Sequence, residues 1–322
     1  MNRVLVTGGA GTIGQALVRR LVSDPDWEVR VADQRTPPQW MRETCEIEVG
    51  DLRAQEVADR AVAGTSHVVH LAAIVGGIAN FHKLPHTLLE VNTALYNSVF
   101  RAALTEGVER LVYVSSSMVF ERATLFPTPE EHVREVATPR SAYGFSKLAG
   151  EAYCRALADE HGLRYSIVRP FNAYGPGEMP DNEPGIAHAV PDLVRKTLAG
   201  QRPLQIFGSG EQTRTLTYVD DIAEGIVAAM RHPAAEGEDF NISASDEMTV
   251  AEIARLIWEA CGEDAAELEF EHLPSFEVDV PRRWPSVKKA RRVLGWEAAV
   301  PVEEGLARTV AWIRELELVA NE

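Results

Sequence analysis

Met1–Thr7 (MNRVLVT) runs into Gly8-Gly9-Ala10-Gly11-Thr12-Ile13-Gly14, and Gln15–Ser23 follows with Ala16, Leu17, Leu21 and Val22 on one helical face. A short β-branched run, a glycine turn and a helical period predict strand, turn and helix in that order. Glycines at such a turn let the backbone approach a pyrophosphate, whose charge suits the helix N-terminus. Trp27–Ala32 reads as the next strand and ends at Asp33. An acid about 20 residues past the glycines can hold the ribose hydroxyls of NAD and repel the 2′-phosphate of NADP. Arg35 stands close enough to meet such a phosphate, yet the acid makes NAD the expected cofactor.

Outward from this unit the same rhythm repeats. Cys45–Val49, Ser66–Ala73, Arg110–Ser115 and Tyr165–Arg169 read as strands, and Val91–Glu106 and Ala142–His161 as helices. Several strands are apolar throughout, as strands buried on both faces are. The expected fold is therefore α/β, a doubly wound parallel sheet of Rossmann type. After Pro170 the pattern becomes less regular, with a Pro- and Gly-rich loop over Phe171–Gly185. Helices are expected at His188–Ala199, Val219–Arg231, Thr249–Cys261, Ser286–Leu294 and Val302–Leu316, and short strands at Leu204–Phe207 and Glu267–Glu271. This gives residues 1–170 as the nucleotide domain, with 212–236 returning to it. Residues 171–211 and 237–322 form a smaller mixed α/β C-terminal substrate lobe.

The 322 residues carry 48 acids against 32 bases, a net charge of −16. Such a field disfavours nucleic acid and anionic membranes as partners. Cys45, Cys154 and Cys261 are widely spaced, with no metal-ligand pattern, so no metal is expected and a reducing compartment is. The N-terminus lacks a signal-peptide layout and no apolar run has spanning length. A cytoplasmic location is expected.

Tyr143 and Lys147 lie four apart at a helix start, on one face. A phenol titrates near pH ~10. A neighbouring ammonium lowers that value and makes the phenolate available as a base. Ser115-Ser116-Ser117 ends a strand at the sheet edge where open α/β folds bind ligands. A serine there can share a hydrogen bond with the hydroxyl that Tyr143 deprotonates.

Together with Gly50-Asp51-Leu52, His70–Ala73, Arg169–Pro176, Phe207–Asp221 and Arg282–Trp296, these motifs resemble the extended short-chain dehydrogenase/reductases of the NAD-dependent epimerase/dehydratase group, over nearly the whole chain. The resemblance implies a nucleotide-sugar substrate, NAD, and a homodimer. It places Gly8, Gly11, Thr12, Ile13, Asp33, Gln34, Ser115 and Pro170 along the cofactor, with Asp51 and Leu52 flanking the adenine. Leu71, Ala72 and Ala73 line the pyrophosphate and ribose path, and Lys147 holds the nicotinamide ribose. The catalytic set is Tyr143, Lys147 and Ser116. Substrate contacts fall to Ser116, Ser117, Tyr143, Asn172, His188, Arg214 and Arg282, with Asn172, Arg214 and Arg282 on the nucleotide phosphates.

The positions after Ser116 sort this family. The 4,6-dehydratases carry an Asp-Glu pair there, UDP-glucuronate decarboxylases a glutamate at the second position, and the GDP-sugar 3,5-epimerases a cysteine. This chain has Ser117 and Met118, and a thioether transfers no protons. The expectation is C4 epimerisation through a transient 4-keto sugar, of UDP-glucose/galactose or UDP-glucuronate type. Ala72–Ile78, with Gly76-Gly77, and His188 instead resemble GDP-fucose synthase and GDP-mannose 3,5-epimerase. A GDP-sugar 3,5-epimerase or epimerase-reductase is therefore the alternative. A nucleotide-sensing regulatory subunit is the non-enzyme alternative, and the intact Tyr143/Lys147 pair argues against it.

Overall fold

The computed structural model describes residues 2–75, 83–183, 185–276 and 279–320. Gly76-Gly77 and Ile78 lie outside the described residues. The first half alternates strand and helix: β1 (Asn2–Thr7), α1 (Thr12–Val22), β2 (Trp27–Asp33), α2 (Gln39–Thr44), β3 (Glu46–Val49), α3 (Gln55–Val62), β4 (His67–His70), α4 (Pro85–Glu106), β5 (Arg110–Val114), α5 (Ala142–His161) and β6 (Tyr165–Pro170). The second half carries β7 (Ala173–Tyr174), α6 (Ala189–Leu198), β8 (Leu204–Phe207), β9 (Thr213–Arg214), β10 (Thr217–Tyr218), α7 (Val219–Arg231), β11 (Asp239–Ile242), β12 (Met248–Thr249), α8 (Val250–Ala260), β13 (Phe270–Leu273), α9 (Lys288–Leu294) and α10 (Val302–Ala320).

Seven strands make one parallel sheet in the order β11-β6-β5-β4-β1-β2-β3. Strand residues alternate faces, so Val4, Val6 and Val31 join α1 and α7 on one side. Leu5, Ala32 and Val68 join α3, α4 and α5 on the other. Both faces are covered, which is why the strands read as unbroken apolar runs. The strand order turns back between β1 and β4, and such a switch point opens a crevice at the carboxyl ends of the strands. There the Thr7 hydroxyl accepts the Leu71 and Ala72 N–H groups, each at 3.2 Å, and lies 2.9 Å from His70 Nδ1.

The smaller lobe stacks α8 on α6 and α10 around Trp258, which is fully buried. It adds the pairs β8–β13 and β9–β12. The return to the main sheet runs further than residue 236. β11 lies in the stretch assigned above to the lobe, yet it pairs with β6 from Asp239↔Ile167 to Ile242↔Pro170 and forms the sheet edge. A four-residue run gives too little periodicity to be seen in the sequence. No helix among the described residues is long and apolar enough to cross a membrane.

Candidate active site

The glycine loop is shaped by contacts that exclude side chains. Gly8 has φ +71°, and a Cβ there would stand 2.8 Å from the Ala72 nitrogen. A Cβ on Gly14 would stand 2.4 Å from the Gly8 carbonyl oxygen. Gly11 caps α1 with no side-chain hydrogen bond, which leaves the first N–H groups of the helix for an anion. Asp33 is buried at the end of β2. One carboxylate oxygen accepts the Ala10 N–H at 3.1 Å, and the other accepts the Arg35 N–H at 2.9 Å. The loop and the acid thus form one cradle, and a bare backbone beside a carboxylate suits the pyrophosphate and ribose of NAD. Gln34 is exposed next to it. Asp51 is exposed and paired with Arg53 at 2.6 Å. The Leu52 side chain is buried in the core with Ala32 and Val99, so only Asp51 of that pair faces outward.

A cavity of about 320 Å³ opens beyond this cradle, over the ends of β5 and β6. Ile13, Leu71, Pro170 and Ser115–Met118 line it, with Tyr143 and Lys147. Tyr143 enters at the first turn of α5, where Ser141 caps the helix by accepting the Gly144 N–H at 3.1 Å. Burial raises the Tyr143 phenol above its ordinary value, against the hydrogen bond from Ser116 and the charge of Arg283. Lys147 is buried and donates to the Val114 carbonyl at 2.9 Å. Burial pushes its ammonium down to about 7. Ser115 has a different task from its neighbours. Its hydroxyl donates to Glu151 at 2.8 Å, inside a network in which Arg169 bonds Glu151 at 2.7 and 2.8 Å and Asp239 at 2.6 Å.

Two arginines also line the cavity. Arg214 lines the cavity and bonds Asp279 at 2.8 Å, with its other nitrogen on the Thr213 and Val280 carbonyls. Arg283 lines it too, with its Nε buried and without a hydrogen-bond partner. Burial and the nearby Arg214 push the Arg283 guanidinium down to about 9, against Asp279 and Glu121. An orphaned guanidinium beside a second one suits a diphosphate. Arg282, assigned above to that role, does not line the cavity. It forks onto Glu247 with two bonds of 2.7 Å and lies over Phe126 and Trp284. Successive residues of an extended segment point opposite ways, so only one of the two arginines can face inward.

Asn172 lines the cavity with φ +39°, a left-handed value that asparagine tolerates better than most residues. Its amide donates to the Thr215 carbonyl at 3.0 Å. His188 stands before α6, its Nδ1 2.5 Å from a Glu178 carboxylate oxygen that also accepts the His188 N–H at 2.9 Å. The charge of Glu178 raises His188 above its ordinary value, against burial. Sequence reasoning missed Glu178, Asp279 and Arg283. The two carboxylates lie in irregular loops, where spacing does not report direction. Among the described residues no group of three or more His, Cys, Asp or Glu is arranged to hold a metal ion.

The sequence profile of the NAD dependent epimerase/dehydratase family matches residues 4–243. UDP-glucuronic acid decarboxylase 1 of Xenopus tropicalis is 32% identical over 330 residues, 99% of this chain and 74% of that protein. UDP-glucose 4-epimerase of Thermotoga maritima, solved with UDP-glucose, superposes with a TM-score of 0.87 at 30% identity, covering 98% of this chain and 99% of its own. UDP-glucose 4-epimerase of Thermus thermophilus, solved with NAD, superposes with a TM-score of 0.84 at 29% identity, covering 97% and 99%. With its glycine cradle, its Asp33 and its Tyr143/Lys147 pair, the chain belongs to the NAD-dependent epimerase/dehydratase family of nucleotide-sugar enzymes, and its cofactor is NAD.

Proposed function

We propose that the chain is a nucleotide-sugar 4-epimerase that interconverts a UDP-glucose/galactose or UDP-glucuronate type pair. The observation that carries the reading is Met118. Its side chain is buried against Tyr143, Leu88 and Val280, and it lines the cavity beside Ser116 and Ser117. Neither a hydroxyl nor a thioether at these positions replaces the carboxyl group that would take a proton from a sugar carbon in dehydration or return one to the carbon that loses CO2 in decarboxylation, which argues against both reactions found in relatives. Bound in the Gly8–Gly14 cradle, NAD supplies a hydride acceptor and donor. Tyr143 takes the proton of the C4 hydroxyl, with Ser116 sharing the hydrogen bond, and gives it back on either face. Lys147 keeps the phenolate accessible, since an adjacent ammonium opposes what burial does to a phenol. Arg214 and Arg283 hold the diphosphate while the sugar turns over.

The His188–Glu178 pair favours a second reading. A carboxylate-oriented imidazole in a cavity is a competent acid–base group, and it could act at the carbons beside a 4-ketone in a 3,5-epimerase. Turnover in D₂O separates the two. A 4-epimerase yields product inverted only at C4 with no deuterium on carbon, measured by NMR and mass spectrometry over UDP-, GDP-, dTDP- and CDP-sugars. Deuterium at C3 or C5 would overturn the 4-epimerase reading and make His188 the acid–base catalyst.

A further inference from the structure

Lys147 stands on an aromatic floor. Its ammonium lies 5.5 Å from the ring centroid of Tyr113 and 5.9 Å from that of Tyr143. Tyr113 is fully buried on β5. Its hydroxyl lies 2.9 Å from the Tyr96 hydroxyl and 3.2 Å from the carbonyl oxygen of Lys147 itself. Gly150, in the next turn of α5, makes room for the ring. A Cβ there would stand 2.3 Å from Tyr113 Oη and 2.4 Å from Cζ. A glycine inside a helix weakens it, so this one is tied to the close approach of the ring.

We propose that Tyr113 is a positioning residue for Lys147, its ring face supporting the ammonium in the charged form, with Gly150 as the opening that admits the ring. The proposal rests on the reading that Lys147 serves Tyr143. A ring face attracts a cation most strongly where water is excluded. Besides the Val114 carbonyl, which accepts one ammonium N–H at 2.9 Å, the described residues around Lys147 offer it no free charge partner. From its own helix come Tyr143 and Glu151, the latter committed to Arg169, Arg155 and Ser115. Tyr96 comes from α4, and His70 from β4 is pushed down to about 3 by burial and by Lys147, so it is neutral. Burial already brings Lys147 to about 7, so a small loss of cation support discharges it at neutral pH.

Lysine titration by NMR tests this on the free protein. The chain has five lysines, so carbon-13 labelling at Cε gives a short spectrum, and Lys147→Gln assigns the signal. The comparison is wild type, Tyr113→Phe, and a series in which phenylalanines of rising fluorine content replace Tyr113, which drains the ring face at nearly constant shape. Lys147 should titrate close to wild type in Tyr113→Phe. It should fall progressively with fluorination, reaching about one pH unit, a tenfold change in its protonation equilibrium. The alkaline limb of turnover should move with it while KM for the sugar nucleotide stays unchanged. A Lys147 titration that ignores fluorination would overturn the proposal. So would a shift as large in Tyr113→Phe as in the fluorinated series, which would assign the effect to the hydroxyl. The titration needs no substrate, so its outcome is independent of which sugar carbon is inverted.

Discussion

The Ser141 hydroxyl donates to the Glu121 carboxylate at 2.6 Å while accepting the Gly144 N–H at 3.1 Å. One serine therefore caps the helix of Tyr143 and ties it to the segment that follows Ser117. The same carboxylate accepts the Arg140 and Ser141 N–H groups. Ser141→Ala removes the cap and one partner of a buried acid. The expected destabilisation is about 2 kcal/mol, read from the midpoint of urea unfolding, with a fall in turnover as the helix start loosens. An unchanged midpoint would show that neither bond matters to the fold.

Tyr143→Phe keeps the ring in its apolar cluster with Leu88, Met118 and Val280 and removes only the hydroxyl. NAD should still bind, followed by cofactor fluorescence. Turnover should fall by about 10²–10⁴-fold, the usual cost of losing a general base. Activity within a few-fold of wild type would refute Tyr143 as the base.

Asp33 ties β2 to the glycine loop through Ala10 and sits beside Arg35. Asp33→Ala should weaken NAD and narrow its advantage over NADP, because the repelling carboxylate is gone while the arginine stays. Dissociation constants for both cofactors measure this. An unaltered ratio would mean that the acid does not select the cofactor.

Arg282 and Arg283 are neighbours with opposite surroundings. Arg283→Ala should raise KM for the sugar nucleotide at least about tenfold, since it removes the orphaned guanidinium of the cavity. Arg282→Ala, which breaks the partly exposed pair with Glu247 and the stacking on Phe126 and Trp284 outside the cavity lining, should leave KM within a few-fold. The reverse order of effects would mean that the two side chains exchange places when substrate binds.

The His188–Glu178 pair links stability to pH. The charge of Glu178 raises His188, so its share of the stability is fully present below the unfolded value of about 6.5 and fades as pH rises through the raised value. Burial works against Glu178, but the charge and hydrogen bonds of His188 hold it below its ordinary value. Its share is present above about 4.3 and is lost as pH falls through the lowered value. The Tm difference between wild type and Glu178→Gln should therefore peak in mild acid and shrink toward alkaline pH. A pH-independent difference would mean that the pair is uncharged.

Legibility followed distance along the chain. The cradle is encoded mostly within Gly8–Gly14 and one following strand, so its open helix cap and the bond from Ala10 to Asp33 arise locally, while the close approach of Gly8 to Ala72 waits for β4 to pair. Tyr143 and Lys147 share a helix face through four-residue spacing alone. The cationic wall was harder to see, because Arg214, Asp279 and Arg283 meet across as many as 69 positions that include two helices and several short strands, and adjacent arginines differ only in which way they point.

The sequence by itself determined the α/β class, the parallel sheet and the NAD cradle, since periodicity and local spacing act over a few residues and need no knowledge of the rest of the chain. Only the tertiary structure decided the details of the site. It turned Arg283 rather than Arg282 inward, buried the Leu52 side chain and drew Ser115 toward Glu151. It also set the Tyr113 ring against Gly150, beneath Lys147. Those choices follow from packing between distant segments, where the volume left by one element dictates which side chain of another can enter it.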